Sequence, residues 1–313
     1  MSPAAVNEIL QGLSAPEKYI SSKYFYDDKG SAIFQQIMEM PEYYLTNAEQ
    51  EILAQQAAEI ITETGFDGPF NVVELGAGDG SKTFELLSYL DSANREVTYV
   101  PVDISKAAID GLAADFTKRL PRLKLNPKVG DYFEVLKDRL QSESNPSLLL
   151  FLGSNIGNYM PADALNLLRL FHQNMAAGDA LLLGADLQKN PEVIRKAYDD
   201  PHGITRNFNL NLLDRFNREL NANFERDQFE FYCYYNPLSG EVRSYLVSLT
   251  DQIVDLADEQ IRFKKDELIW TELSKKYSFQ ELEGMAQTAG FEVKKHFLDT
   301  RSYFTNSLWI KSD

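Results

Sequence analysis

Three glycines at alternate positions, Gly76, Gly78 and Gly80, follow the apolar run Val72-Val73-Glu74-Leu75 and precede Ser81-Lys82-Thr83. Glycine adopts positive φ without strain and carries no Cβ, so a ligand can come close to the backbone of such a turn. Lys82 falls in the first turn of the helix that should follow, where its ammonium and the helix N-terminus together suit a carboxylate. Asp103 ends the next apolar run, about twenty residues beyond the glycines, where an acidic side chain accepts both hydroxyls of a ribose. Capping the following helix is the competing role for Asp103, a duty that Ser105 could share. Asp131 and Tyr132 follow a third run, so a carboxylate there would accept from an adenine amino group while the ring packs on the base; an ordinary turn at Gly130-Asp131 is the alternative. Gly153-Ser154-Asn155-Ile156-Gly157-Asn158 closes a fourth run, at the end of the strand where ligands sit in open α/β sheets.

Spacing separates the ligands that such a glycine turn could hold. A dinucleotide fingerprint requires G-x-G-x-x-G, and Ser81 occupies its third glycine position; a phosphate-binding P-loop pattern does not occur here. The form G-x-G-x-G preceded by an acidic residue resembles the first motif of class I methyltransferases, which implies S-adenosylmethionine as the cofactor, with Gly76, Gly78, Lys82, Asp103, Asp131 and Tyr132 as its contacts.

The elements that must position these residues read as an α/β chain. Short apolar runs at 71–75, 97–102, 123–125, 148–152 and 180–183 alternate with helical stretches, the signature of a parallel sheet covered by helices. A helix from Phe279 to Ala289, a stop at Gly290 and two late strands, 291–297 and 304–311, complete a seven-stranded, Rossmann-like sheet. Residues 1–65 read as helices, and from about residue 187 to 276 the alternation stops in a polar, aromatic, asparagine-rich region. The expected organisation is therefore an N-terminal helical part of a substrate domain (1–65), a cofactor-binding half (66–190), a substrate-domain insertion (191–276) and the completion of the sheet (277–313).

Bulk properties narrow the partners. The 313 residues carry 47 acidic against 31 basic side chains, a formal net charge of −16 that repels phosphate backbones and anionic membrane surfaces alike. Cys233 is the sole cysteine, which excludes an intrachain disulfide and a cysteine-rich metal site and fits a reducing, cytoplasmic setting. No apolar run approaches the roughly 20 residues of a membrane-spanning helix. The expectation is a monomeric cytoplasmic enzyme for a small molecule, with no metal, nucleic acid or membrane partner.

Four further segments narrow the family: Lys23-Tyr24-Phe25-Tyr26-Asp27 with Pro41-Glu42-Tyr43-Tyr44-Leu45-Thr46, Phe151 to Asn158, Ala197-Tyr198-Asp199-Asp200, and Thr271-Glu272-Leu273-Ser274. In order and spacing they resemble the histidine-specific methyltransferase family, whose members trimethylate the α-amine of L-histidine to hercynine, the first step towards ergothioneine. The resemblance runs from about residue 15 to the C-terminus. It implies that Tyr43, Asn158 and Tyr198 hold the carboxylate and amine of L-histidine, that Glu272 and Ser274 read its imidazole, and that Tyr26 lines the transfer space. Taken singly, each has a plain structural reading: Tyr43 as a staple between helices, Tyr198 as a half-buried helix residue, Glu272 as a solvated strand residue. The resemblance also places Ser244 where other members carry methionine, which makes another amino acid or small amine the alternative substrate. A cofactor-binding protein without catalysis is the remaining reading.

Overall fold

The computed structural model describes residues 1–130 and 145–312. The chain divides into two compact units, one formed by Met1–Tyr44 with Lys189–Lys275 and the other by Leu45–Gln188 with Lys276–Asp313. Each has its own hydrophobic core.

The second unit is built on one mostly parallel sheet. Its strands run in the spatial order Phe291–Leu298, Phe304–Lys311, Ala180–Asp186, Ser147–Phe151, Phe70–Leu75, Val97–Asp103, with Lys124–Leu125 at the edge. Lys128–Val129 pairs with the far end of Val97–Asp103, so the two short pieces share one edge position and the sheet has seven positions among the described residues. Phe304–Lys311 is antiparallel to both its neighbours. Phe70–Leu75 and Ser147–Phe151 are buried at every residue, as central strands covered on both faces must be. The chain leaves Phe70–Leu75 towards one edge and returns on its other side at Ser147–Phe151, so the strand order reverses between them. Ligands of open α/β sheets bind at the carboxyl ends of the strands that flank such a reversal, and here those ends carry Gly76 and Gly153.

Local chemistry ends the helices where the sequence indicates. Ser278 and Glu281 form a reciprocal capping box ahead of Phe279–Ala289, and Gly290 closes that helix at φ +99°. Ser105 caps Lys106–Arg119, accepting from the Ala108 N–H, so Asp103 is not the capping residue of that helix.

The first unit carries a four-stranded sheet in the order Lys18–Tyr19, Leu268–Lys275, Glu241–Ser248, Phe229–Asn236, with a separate hairpin Gln252–Leu256 and Glu259–Phe263. The helix Ile204–Leu220 packs on the sheet, and its Phe208 stacks on Phe25 and meets Phe34. The four-stranded sheet is not legible as alternation in the sequence. Ser244, Ser248, Thr271 and Ser274 occupy buried positions while Tyr232 and Tyr234 are exposed, which inverts the polarity that period-two reading depends on.

The division between the units also differs from the expected one. The helix Leu45–Thr64, assigned from sequence to the N-terminal part of the substrate domain (1–65), belongs to the second unit. Its buried stripe of Leu45, Ala48, Ile52, Leu53, Ile60 and Ile61 packs on the two C-terminal strands of the large sheet and on the helix Thr83–Ser92. Apolar periodicity shows that a helix has a face to bury but not against which core.

At the carboxyl end of Ala180–Asp186, the Lys276 ammonium lies 2.8 Å from the Asp186 carboxylate, both side chains fully buried. Removing one partner of such a pair strands a charge in a low-dielectric interior, which costs about 3–5 kcal/mol. Lys276→Met is therefore expected to lower the urea midpoint by that free energy divided by an unchanged denaturant slope; a midpoint equal to that of the parent would refute it.

Candidate active site

In the second unit, the glycine turn is shaped by its neighbours. Gly76, Gly78 and Gly80 all have positive φ (70°, 56° and 69°). The Val102 carbonyl accepts from the N–H groups of Gly76 (2.8 Å) and Ala77 (3.2 Å), and the Asp103 carboxylate accepts from Gly78 (3.0 Å) and Ser105 (2.8 Å). The three glycines serve different ends. A Cβ on Gly78 would meet nothing within 4 Å, and one on Gly76 would meet only the Asn155 amide, at 3.9 Å, so the space over this part of the turn is open to a ligand. A Cβ on Gly80 would lie 2.8 Å from Leu112 Cδ1 and from Phe116 Cζ, so this glycine admits the helix Lys106–Arg119.

Beneath the turn, Glu74 is buried and accepts hydrogen bonds from the hydroxyls of Thr83 (2.6 Å) and Tyr99. Burial dominates its titration and pushes the carboxyl up to about 7, against the hydrogen bonds and the Lys82 charge, which favour ionisation. Lys82, immediately before the helix Thr83–Ser92, donates to Glu49 at 2.5 Å, and the same Glu49 carboxylate accepts from the Gly153 N–H.

Gly153 to Asn158 form a turn anchored from below. Ser154 is left-handed at φ 56°, with its Oγ accepting from the Asp186 N–H at 3.0 Å, and the Tyr277 hydroxyl donates to the Ile156 carbonyl at 3.1 Å. Asn155 stands beside Gly76 and Gly153, whereas Asn158 is exposed at the end of the turn. Asp131 and Tyr132 lie outside the described residues. Ile104, next to Asp103, is 80% exposed, an apolar surface that the flat face of a base would cover. Open space over two glycines, an ammonium at the start of a helix and an acid at the end of the neighbouring strand suit S-adenosylmethionine: Gly76, Gly78, Lys82 and Asp103 fit that group. Among the described residues, no group of three histidine, cysteine or acidic side chains is placed to hold a metal.

The first unit brings the remaining candidates together, apart from Asn158. Rings run in contact from Tyr26 to Phe34 (centroids 5.5 Å), Phe34 to Tyr43 (6.4 Å) and Tyr43 to Tyr198 (6.0 Å), with Phe208 against Tyr26 and Phe34. The Tyr198 and Ser274 hydroxyls are hydrogen-bonded at 2.9 Å. Tyr26 is fixed by Asp27, which caps the helix Asp28–Glu39 through the Gly30 N–H and also accepts from Asn211 and Arg218. Asp200 plays the corresponding part behind Tyr198, accepting from the N–H groups of His202, Ile204 and Thr205.

A bulge decides where Glu272 points. Trp270 opposes Tyr245, yet Glu272 opposes Ser244, so Thr271 is the extra residue. Directly opposed residues share a face of the sheet, and a bulge re-aims the chain. Without it Glu272 would share the face of Trp270 and Arg243; with it Glu272 joins Ser244, Ser274 and Cys233 on the other. The Thr271 hydroxyl donates to Asn209 (2.7 Å) and the Trp270 indole to the Glu272 carbonyl (2.8 Å), which hold the bulge. Tyr26 keeps 48% of its surface accessible, and burial first and the Glu272 charge second push its pKa up.

Residues 5–311 match the description of the family of histidine-specific, SAM-dependent methyltransferases. The chain belongs to that family. It is therefore a methyltransferase that uses S-adenosylmethionine. It is 34% identical to the histidine N-alpha-methyltransferase of Mycolicibacterium smegmatis over 97% of this chain and 94% of that one. It is 27% identical to an L-tryptophan methyltransferase of Psilocybe serbica, over 95% and 90%. Among solved structures, a possible exported protein from Bordetella parapertussis has a TM-score of 0.51 at 14% identity, over 99% of this chain and 88% of that one, a likeness of fold alone. Among the described residues, no helix is long and apolar enough to cross a membrane.

Sequence reading missed Glu49, Ile104, Phe34 and Phe208 as neighbours of these sites, whereas Asn155 lies in a segment it placed at the ligand end of the sheet. Of the missed residues only Glu49 left a signal, as an acidic residue on the buried stripe of a helix.

The raised pKa of Glu74 has a consequence for stability. Its carboxyl ionises near 4.5 in the unfolded chain and about 7 in the folded one, so stability present below pH 4.5 is lost as the pH rises through 7. Glu74→Gln removes this titrating group. Between pH 5 and pH 8 the parent should lose roughly 2 kcal/mol more than the variant in urea unfolding; parallel pH profiles would show that Glu74 does not titrate there.

Proposed function

We propose that this chain methylates the α-amine of L-histidine to the trimethylated product hercynine. The observation that carries this reading is the constellation of Tyr198, Ser274 and Glu272 with the ring series Tyr26, Phe34 and Tyr43, in a chain whose family is specific for histidine. Tyr43, Tyr198 and Asn158 would hold the carboxylate and amine, and Glu272 and Ser274 the imidazole. Gly76, Gly78, Lys82 and Asp103 would hold the donor, with Asp131 and Tyr132 at its base.

The donor supplies an activated methyl group and its own leaving group, so no covalent enzyme intermediate is needed. What the protein must do is orient the amine and favour its neutral form. Tyr26, kept protonated by burial and by Glu272, is no base at neutral pH, and the proton goes to water. Aromatic faces retain the ammonium as it gains methyl groups and bind it by cation–π attraction for the next round. The carboxylate of Glu272 would accept from an imidazole N–H, a hydrogen bond that an aliphatic side chain does not offer, which is the basis of selection.

Ser244, directly opposite Glu272, gives ground for a second reading. A small residue there leaves room for a larger side chain, and another amino acid would then be the substrate. Action on a free small molecule by a cytoplasmic monomer belongs to the main reading, supported by the −16 charge and the single cysteine.

Mass spectrometry of a panel of amino acids incubated with enzyme and S-adenosylmethionine separates these readings. The trimethylated product should form from L-histidine, and unmodified histidine beside another methylated amino acid would transfer the assignment to that substrate. Two variants divide the roles. Glu272→Ala should lower histidine turnover at least tenfold with donor affinity within about twofold by calorimetry, and equal losses for both ligands would reject its role. Asp103→Ala should weaken donor binding about tenfold or more, the scale of hydrogen bonds to a charged acceptor; unchanged affinity would reject the ribose contact.

A further inference from the structure

The helix Leu45–Thr64 presents one acid on its buried stripe. Glu49 is 1% exposed, although an apolar residue at this position would complete the stripe of Leu45, Ala48, Ile52 and Leu53. A buried carboxylate is costly unless it is paired and hydrogen-bonded, and Glu49 is both. Its oxygens lie 3.0 and 2.8 Å from the Gly153 N–H, and Oε2 lies 2.5 Å from the Lys82 ammonium. Three segments distant in sequence therefore converge on one carboxylate: the helix, the end of the glycine turn and the turn after Ser147–Phe151.

The surrounding backbone is fitted to this convergence. A Cβ on Gly184 would lie 2.1 Å from Glu49 Oε1, so the strand Ala180–Asp186 makes room for the acid by carrying no side chain there. A Cβ on Gly153, itself at φ 76°, would lie 3.1 Å from the Lys82 ammonium. Two glycines clear the path between Glu49 and Lys82. A lysine ammonium on its flexible stem has three donors and no preferred direction of its own. Glu49 takes one donor from below and leaves the others for a second acceptor, while the Lys82 side chain keeps 24% of its surface accessible.

We propose that Glu49 is a positioning residue for the methyl donor, acting through Lys82: it fixes the ammonium over Gly153 so that the remaining donors meet the carboxylate of S-adenosylmethionine. This rests on the reading of Lys82 as a donor contact. It accounts for an acid beside a carboxylate site, where simple charge attraction would disfavour one. The lysine loses part of its field to Glu49 and gains a defined place, and ordering before binding is what raises affinity.

A double-mutant cycle on the whole chain tests it, with S-adenosylmethionine and S-adenosylhomocysteine titrated by calorimetry and no turnover required. Lys82→Met and Glu49→Gln are each expected to weaken both ligands about tenfold, and the double variant to be no weaker than Lys82→Met alone, because residues that act through one another are not additive. Gly184→Ala, which displaces the carboxylate without altering its charge, is expected to behave as Glu49→Gln does, and decides the matter if Glu49→Gln does not fold. Unchanged affinity in Glu49→Gln, or losses that multiply in the double variant while the melting temperature falls, would overturn the positioning role and leave Lys82 as a donor contact. Unchanged affinity in Lys82→Met would overturn that contact and the inference with it.

Discussion

A turn of left-handed glycines keeps its shape only where its amide groups find partners, and here the adjacent strand supplies them. The Val102 carbonyl takes the N–H groups of Gly76 and Ala77, and Asp103 takes that of Gly78. The same carboxylate that is proposed to meet the ribose thus already shapes the loop, so the parallel pairing of Phe70–Leu75 with Val97–Asp103 sets the form of the donor surface. Glu74 adds a hydrogen-bonded floor, joined to Thr83 on the helix that follows the turn and to Tyr99 on the neighbouring strand. Preorganisation of this kind comes from sheet register, and it persists as long as the register does.

The smaller unit achieves order by other means. Its aromatic series is fixed at both ends by aspartates that satisfy the first amides of helices, Asp27 before Asp28–Glu39 and Asp200 before Ile204–Leu220. Orphan N–H groups at a helix start are strong acceptor-seekers, and here they lock Asp27, next to Tyr26, and Asp200, two residues beyond Tyr198. Segments that read as binding motifs therefore divide internally, with tyrosines in the ring series and aspartates holding the scaffold.

Much of the large sheet was legible in the sequence because its central strands, buried on both faces, read as short apolar runs between helices, Leu148 to Phe151 throughout and Val72 to Leu75 apart from Glu74. The glycine turn was legible for a similar reason, since its backbone conformation admits few residues other than glycine. The smaller sheet was not. Its buried face carries Ser244, Ser274 and Thr271, and its exposed face carries tyrosines, so hydrophobicity there does not report burial. The orientation of Glu272 lay further out of reach, because a single extra residue at Thr271 reverses the face on which it falls and local composition does not encode register. Glu49 shows a third kind of opacity: its partners, Lys82 and Gly153, are 33 and 104 residues away, and only the folded chain makes them neighbours.

The glycine at position 80 carries a lesson for how such loops diversify. Its missing side chain is filled by Leu112 and Phe116, so selection there acts on the fit of a helix and not on the identity of a bound molecule. A lineage that drifted away from glycine at this position would be expected to compensate with smaller residues at 112 or 116, a paired change across thirty-odd positions that leaves cofactor preference untouched. Covariation of this sort, and not a count of glycines, would tell a repacked methyl-donor loop from one adapted to another ligand.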